Sequence, residues 1–282
     1  MTISAELVKD LREKTGAGMM DCKKALAQSG GNLEKALDFL RKQGLATAAK
    51  KAGRTAADGL IGMLDEKGTY TMIEVNCETD FVSKTDDFQN FLKDVTSHVA
   101  KNNFSNVDDL LSSTMNGKKV ADIQTAIIAK LGENIGVRRF VKKPSGGDKK
   151  VNSYVHAGSK IGVLVVFEDP NGKLPDNTAK DVAMHVAAMS PQYVTRNEIP
   201  EDVMNREKEI FKAQMADQKK PADVMEKIII GKLNKQFSEM CLEDQIFVKD
   251  PVGKQSIGKM LKSIGGGIKV TEFARFQVGE KV

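Results

Sequence analysis

The sequence predicts an α+β protein: a small helical domain at the N-terminus, two related α+β subdomains and an inserted helical hairpin. Three observations carry that reading. Apolar residues recur at helical spacing through residues 1–45, period-2 runs rich in Val, Ile, Thr and Tyr begin near residue 59, and the order of strand and helix signals repeats after a Gly-containing break, PSGGDKK, at 144–150.

From Ser4, the residues Leu7, Val8 and Leu11 share one helical face, and Thr15 with Gly16 ends it. A second short helix follows from about Met19 to Ala27 and stops at Gly30 and Gly31. Asn32 is a good N-cap for a third helix, whose Leu33, Ala36, Leu37 and Leu40 form an apolar face and whose C-terminal signal is Gly44. Three short helices within residues 1–45 make a miniature domain. A core that small is marginal alone, so its exposed apolar residues are candidates for a binding face. Residues 46–58, rich in Ala, Lys and Gly, read as a helical or flexible connector.

The first core subdomain is placed at 59–143. LIGMLDE, a turn at Lys67 and Gly68, and TYTMIEVNC make a hairpin, and Phe88, Phe91, Leu92, Val95 and Val99 then have helical spacing. A further helix from about Val120 to Leu131 leads into the strand IGVRRFV. The second subdomain, 151–282, offers VNSYVH and IGVLVVF as strands, a helix through DVAMHVAAM and a terminal strand KVTEFARFQV. The ends of the two halves both put a Gly-containing approach before a strand with Arg and Phe, which reads as an internal duplication. Between them, 196–240 is almost all helix-forming: Val203 with Ile210, Phe211 with Met215, a break at Lys220 and Pro221, then Val224, Met225, Ile228, Ile229 and Leu233. Two antiparallel helices with an apolar seam fit this stretch. An ordinary core pair and a dimerisation or partner-binding arm both remain open, the latter allowing a homodimer through the hairpin.

Composition narrows the function classes. With 282 residues, 40% of them hydrophobic, the chain can bury a real core. The net charge of +5 is spread along the sequence, so only a mild preference for acidic partners follows. Trp is absent and aromatics are 5%, which leaves little for stacking on single-stranded nucleic acid. Cys22, Cys77 and Cys241 form no CxxC pair and read as reduced thiols, the N-terminus lacks the apolar stretch of a targeting signal, and no run has the length of a membrane span. The expected location is the cytoplasm.

Residue types that carry covalent chemistry are missing in the needed patterns. There is no GxxxxGK phosphate loop, and GAGMMD at 16–21 lacks the third glycine of a dinucleotide fingerprint and does not follow a strand, so no direct nucleotide binding is expected. His98, His156 and His185 have no HExxH spacing and no nearby cysteine pair, so no metal and no cofactor is expected. His185, on a strongly apolar helix, reads as a hydrogen-bonded core histidine, His98 as solvated near a helix end, and His156 as a turn residue between strands where side chains often touch partners. The chain is not expected to be an enzyme.

The stretch NCETDFVSK, 76–84, sets the carboxylate of Asp80 beside the large apolar Phe81 where a strand should give way to a loop at the tip of a hairpin. Two readings stand. Asp80 closes a local Asx turn while Phe81 tucks into its own core. Alternatively Phe81 protrudes as a wedge into a partner's pocket with Asp80 presenting charge beside it. Met19 and Met20 pose the same question on a smaller scale, and the expectation is one buried and one exposed, because so small a domain cannot readily bury both.

LREKTGAGMMDCKKAL, 11–26, and EVNCETDFVSK, 74–84, closely resemble the two signature segments of the bacterial elongation factor Ts family, and the resemblance extends through GENIGVRRF, SYVHAGSKIGVLV, AMHVAA and the terminal RFQVGE. It implies a UBA-like three-helix N-terminal domain, a two-part core and a projecting coiled coil. It also implies guanine nucleotide exchange on elongation factor Tu, in its GDP-bound and nucleotide-free forms. On that likeness Thr79, Asp80, Phe81 and Val82 enter the partner's GTPase domain near its Mg²⁺ side, Arg12, Met19, Met20 and Lys23 meet the same domain, and Leu131, Gly132 and His156 face another; Lys51 is a further contact. Some members of the family carry an extra C-terminal helix that touches the partner, and none is expected in a sequence ending at Val282. The alternative kept from a different class is a basic RNA-associated scaffold or assembly factor without exchange activity, whose binding would weaken steeply with salt.

Overall fold

A computed structural model describes residues 3–215 and 221–281 of the chain. Three helices open it: α1 (Ala5–Thr15), capped by the Ser4 hydroxyl, which accepts from the Leu7 N–H at 3.2 Å, then α2 (Met19–Gln28) and α3 (Leu33–Lys51), whose N-cap Asn32 accepts from the Lys35 N–H at 3.0 Å. Val8, Leu11, Cys22, Ala25, Leu26 and Ala36 form their small core.

The third helix does not end at Gly44. It continues to Lys51, because Gly44 keeps a right-handed backbone and lies where α3 packs on a later helix: a Cβ there would stand 3.5 Å from Ala129 Cβ and 3.9 Å from Thr125 Cγ2. Those are ordinary contact distances, so the position is buried in the helix joint and does not itself terminate the helix. Arg41 adds an ion pair to Asp122 at 3.0 Å across the same joint.

The first sheet is built from β1 (Asp58–Glu66), β2 (Thr69–Cys77) and, later, β5 (Gly136–Pro144), all antiparallel with β2 in the middle. After β2 comes a single turn, α4 (Asp80–Ser83), then α5 (Asp86–Lys101) and α6 (Val107–Ser112). A two-stranded ribbon, β3 (Thr114–Met115) with β4 (Lys118–Lys119), precedes α7 (Val120–Leu131). The second sheet repeats the plan. It contains β6 (Lys149–Val155), β7 (Ile161–Glu168) and β8 (Lys269–Gln277), again antiparallel with the second strand central and α8 (Asp176–Met189) following it. Each middle strand also carries one register shift against its third strand, at Glu74/Val75 and at Val166/Phe167. α11 (Ile257–Ile264) completes the second half.

Period-2 alternation builds four layers from these parts. Ile73 and Val75 face Phe88, Phe91, Val95 and Ile128 of the helical layer on one side, while Val163, Val165 and Phe167 face Val182, Val186 and Leu261 on the other. The intervening residues, Ile61 and Met72 from the first sheet and Leu164 from the second, form the seam where the sheets meet. Gly162 is required there, since a Cβ would come within 2.6 Å of Ile61 Cγ2 and 2.8 Å of Met72 Sδ. At one edge of the seam the fully buried Glu74 accepts from Arg138 at 3.2 Å, Arg139 at 2.7 Å and the Gly279 N–H at 3.1 Å, and the Arg139 guanidinium lies 4.1 Å from the centre of the Phe276 ring. The two duplicated Arg–Phe strand ends thus hold each other.

A 3₁₀ turn (Arg196–Glu198) leads to α9 (Glu201–Met215) and α10 (Ala222–Met240). Gln236 donates to Glu207 at 2.7 Å and Lys232 stands 5.5 Å from the Phe211 ring centre, so the two helices run antiparallel. Among the described residues, the hydrophobic core clusters include none from either helix. Lys220, half of the expected break, lies outside the described residues; Pro221 stands just ahead of α10. No described helix is long and apolar enough to cross a membrane.

Candidate functional site

Asp80 and Phe81 lie on α4, at the end of β2 opposite the Lys67–Gly68 turn, so they are not at a hairpin tip. The strand ends at Cys77, buried and donating its thiol to the Thr79 carbonyl at 3.1 Å; burial pushes that thiol up to about 12 and leaves it unreactive. Thr79 is extended and caps α4, its hydroxyl accepting from the Val82 N–H at 3.5 Å. Of the four residues of α4, Val82 and Ser83 turn inward while Phe81 stands 79% exposed. Thr79, not Asp80, supplies the turn's local acceptor, and the Phe81 ring is outside its own core. Asp80 pairs instead with Lys84 at 2.6 Å, one helical turn on. That hydrogen bond holds the Asp80 carboxyl below the usual carboxylate range, with Lys160 adding to it, and raises Lys84.

What holds so short a turn in place comes from a distant segment. α7 ends at Gly132, whose left-handed φ of 75° favours glycine, and the next residue, Glu133, is thereby turned toward α4. Glu133 Oε2 accepts from the N–H groups of Glu78 and Thr79, each at 3.0 Å, and Oε1 accepts from the Thr79 hydroxyl at 2.6 Å. Glu78 returns the contact by accepting from the Asn134 N–H at 2.8 Å and pairing with Arg54 at 3.4 Å. The Asn134 N–H first, and Arg54 after it, keep the Glu78 carboxyl low. Asn134 Nδ2 then donates to the Arg54 carbonyl at 2.8 Å, just beyond the end of α3.

These bonds gather several of the residues expected to matter. Leu131, half-buried, and Gly132, exposed, sit directly before the clamp, and the half-buried Lys51 ends the helix next to it. The N-terminal domain meets the same place from its own side: Gly16, ahead of α2, lies against Lys130, where a Cβ would be 3.6 Å from Nζ, and Lys130 pairs with Asp87 at 2.7 Å. Met19 and Met20, first in α2, are 60% and 73% exposed. One was expected inside; both are outside, because Cys22, Ala25 and Leu26 already fill the inward face of α2. Arg12 and Lys23 are exposed on the same domain.

His156 occupies the β6–β7 turn, exposed, with Nδ1 2.9 Å from the Tyr154 hydroxyl. The turn is tied to the α4 end of the first sheet: the Ile61 N–H donates to the Ser159 carbonyl at 2.8 Å, and Lys160 reaches Asp58, the register partner of Cys77, at 2.6 Å. The other histidines are accounted for by the fold. His185 is fully buried, accepting from the Val248 N–H at 3.2 Å on Nδ1, which leaves Nε2 to donate to Gln245 Oε1 at 2.9 Å. His98 is not solvated as expected. It is half-buried against Ser113, at 2.8 Å, and Phe104, because α6 folds back over the end of α5.

Glu133, Asn134 and Arg54 were not among the residues singled out from sequence. Their one local signal is a carboxylate directly after a helix-ending glycine, and it does not say what the carboxylate reaches. Among the described residues no group of three or more His, Cys, Asp or Glu is arranged to hold a metal ion.

The family profile for elongation factor TS matches residues 78–280, from the clamp to just past the last strand. Over its full length the chain is 42% identical to elongation factor Ts of Halothermothrix orenii and 43% identical to elongation factor Ts of Thioalkalivibrio sulfidiphilus, covering 94% of each. A match over nearly three quarters of the sequence, and relatives of this similarity aligned from end to end, leave one conclusion: the chain belongs to the elongation factor Ts family.

Proposed function

We propose that this translation elongation factor is a guanine nucleotide exchange factor for elongation factor Tu, acting by insertion of Phe81 into the GTPase domain. The observation that carries the reading is a large aromatic ring 79% exposed on a one-turn helix whose entry, at residues 78 and 79, is held by four hydrogen bonds to Glu133 and Asn134. A ring in that setting is presented rather than merely left over.

GDP is held on a GTPase by the phosphate loop and by Mg²⁺, which demands near-ideal octahedral distances. Phe81 entering between partner helices shifts them, the metal site loses its geometry and the phosphate charge is no longer compensated. Asp80, with Val82 and Thr79 behind it, brings a carboxylate to the same place after exchanging its Lys84 contact for one on the partner. Arg12, Met19, Met20 and Lys23 meet the GTPase domain from the N-terminal side, Lys51 beside them, while Leu131, Gly132 and His156 take a second domain. Met side chains suit such a surface because they repack readily. The first three helices as a UBA-like domain, the division at 1–45, 59–143 and 151–282, and α9–α10 as a coiled-coil arm of 196–240 that meets a partner or a second copy belong to the same reading, as does a cytoplasmic location without covalent chemistry, cofactor or direct nucleotide binding.

Linkage bounds the energy. If the factor weakens GDP binding by a given ratio, GDP weakens the factor by the same ratio. Burying one Phe contributes roughly 1.5–3 kcal/mol, which is about one to two decades of coupling; the remaining decades come from the other contacts. Release of a fluorescent GDP analogue from elongation factor Tu, followed with and without this chain, tests the proposal. Acceleration in proportion to added chain is expected, and an unchanged rate would overturn it.

A further inference from the structure

We propose that Glu133 is a positioning residue for Phe81, holding α4 in its docking geometry before any partner arrives; the inference rests on the exchange reading above. A four-residue helix cannot hold its shape alone, since forming the first turn fixes several residues for one hydrogen bond. Nor does Phe81 contribute burial that would anchor it. The anchors are Val82 and Ser83 on the inner side and, at the N-terminal end, the Glu133 carboxylate, which takes the N–H groups of Glu78 and Thr79 and the Thr79 hydroxyl. Because Thr79 in turn caps α4, one carboxylate sets both the entry of the chain into the turn and the orientation of its cap.

The clamp also couples two expected contact regions. Glu133 follows Leu131 and Gly132 without a break, and Glu78 holds the Asn134 N–H in return, so α4 and the end of α7 are tied to each other from both sides. A partner that engages both meets surfaces already in register, and the entropy of ordering them has been lost in folding rather than in binding. The clamp is at the surface: Thr79 is exposed and Glu133 half-buried, so water can take over the freed N–H groups when Glu133 is removed. Global stability should hardly change. Local order and exchange should.

The test compares Glu133→Ala, Glu133→Gln, Phe81→Ala and the double variant Phe81→Ala/Glu133→Ala in GDP release from elongation factor Tu, with amide hydrogen exchange on the free chain. For Glu133→Ala, faster amide exchange at Glu78 and Thr79, an unchanged melting temperature and release slowed about tenfold are expected, or about 1.4 kcal/mol. Glu133→Gln keeps one acceptor oxygen for the two N–H groups and should stay within about threefold of the original chain. Because Glu133 acts mainly through Phe81, the loss from Glu133→Ala should be much smaller in the Phe81→Ala background than in the original chain. The inference is overturned if Glu133→Ala releases GDP at full rate, if Glu133→Gln is as slow as Glu133→Ala, or if the double variant shows both losses added. An unchanged rate for Phe81→Ala would instead bring down the exchange reading itself, and this inference with it.

Discussion

The middle strand of each sheet passes to its helix through a short connection, and the two connections are built in opposite senses. After β7, Asp169 is buried and accepts from the N–H groups of Lys173 at 2.8 Å and Leu174 at 2.9 Å, and Leu174 is 3% exposed within the core of that half. After β2, the accepting carboxylate is Glu133, from another part of the chain, and the large apolar residue of the connection, Phe81, is 79% exposed. Both connections satisfy their backbone, as buried or constrained amides must. Only one puts its side chain inside. The difference teaches that duplicated architecture does not duplicate purpose: Leu174 stabilises the fold, whereas Phe81 adds nothing to it. A lone exposed apolar residue says little. Here the short segment 130–133 touches α4 at one end through Glu133 and Gly16, at the end of α1, at the other through Lys130.

The contrast can be broken by experiment, beginning with the half built for stability. Leu174→Ala leaves a cavity in the second core and should cost about 3 kcal/mol in urea unfolding, while the folded variant still releases GDP from the partner at the original rate. A stability loss below 1 kcal/mol would mean that the two connections are equally dispensable to the fold. Phe81→Ala is its mirror image. Its unfolding midpoint should not move, and stimulated GDP release should slow at least tenfold, about 1.4 kcal/mol; a large drop in stability with normal exchange would reverse the roles assigned to the two halves.

A smaller effect separates the equivalent helices α5 and α8, each of which carries one histidine toward its C-terminal end. Burial lowers both His98 and His185 below the usual histidine value, with the Gln245 hydrogen bond only partly opposing it for His185. As pH falls the unfolded chain therefore binds protons before the folded one does. The stability these groups contribute is complete above about pH 6.5 and is lost progressively below it. Unfolding at pH 7 and pH 5 should show this loss, and His185→Phe should reduce the slope more than His98→Phe, because His185 is the more deeply buried. Equal slopes would remove the asymmetry between the halves. The smallest change expected is for Asp80→Ala: no measurable shift in stability, since the Lys84 pair is exposed and screened, and GDP release slower by about threefold. A loss larger than that of Phe81→Ala would make charge, rather than packing, the driving contact.

Much of this was legible in the order of residues. The hairpin around Lys67–Gly68, the helices at Asp86–Lys101 and Val120–Leu131 and the repeated plan of the second half follow from period-2 and period-3.6 patterns with turn and cap residues between them. Where reading failed, a local signal was outweighed by a distant contact. Gly44 carries the residue type of a helix stop but lies buried inside α3, where that helix packs beside Ala129 and Thr125. His98 sits near a helix end, where water is the default neighbour, until α6 supplies Ser113. Met19 and Met20 are both outside because their helix had filled its inward face with smaller residues.

The amino-acid sequence by itself determined the principal strands and helices, their order, the duplication and the family, since caps, turns and hydrophobic periods act over a handful of neighbouring residues; α4, α6, the β3–β4 ribbon and α11 were not read from it. Only the tertiary structure decided that Phe81 points outward and that Glu133 holds it there. The reason is physical: Glu133 and Thr79 are 54 positions apart, no periodicity links them, and their hydrogen bonds exist only once β2, α7 and β5 have packed around a common core.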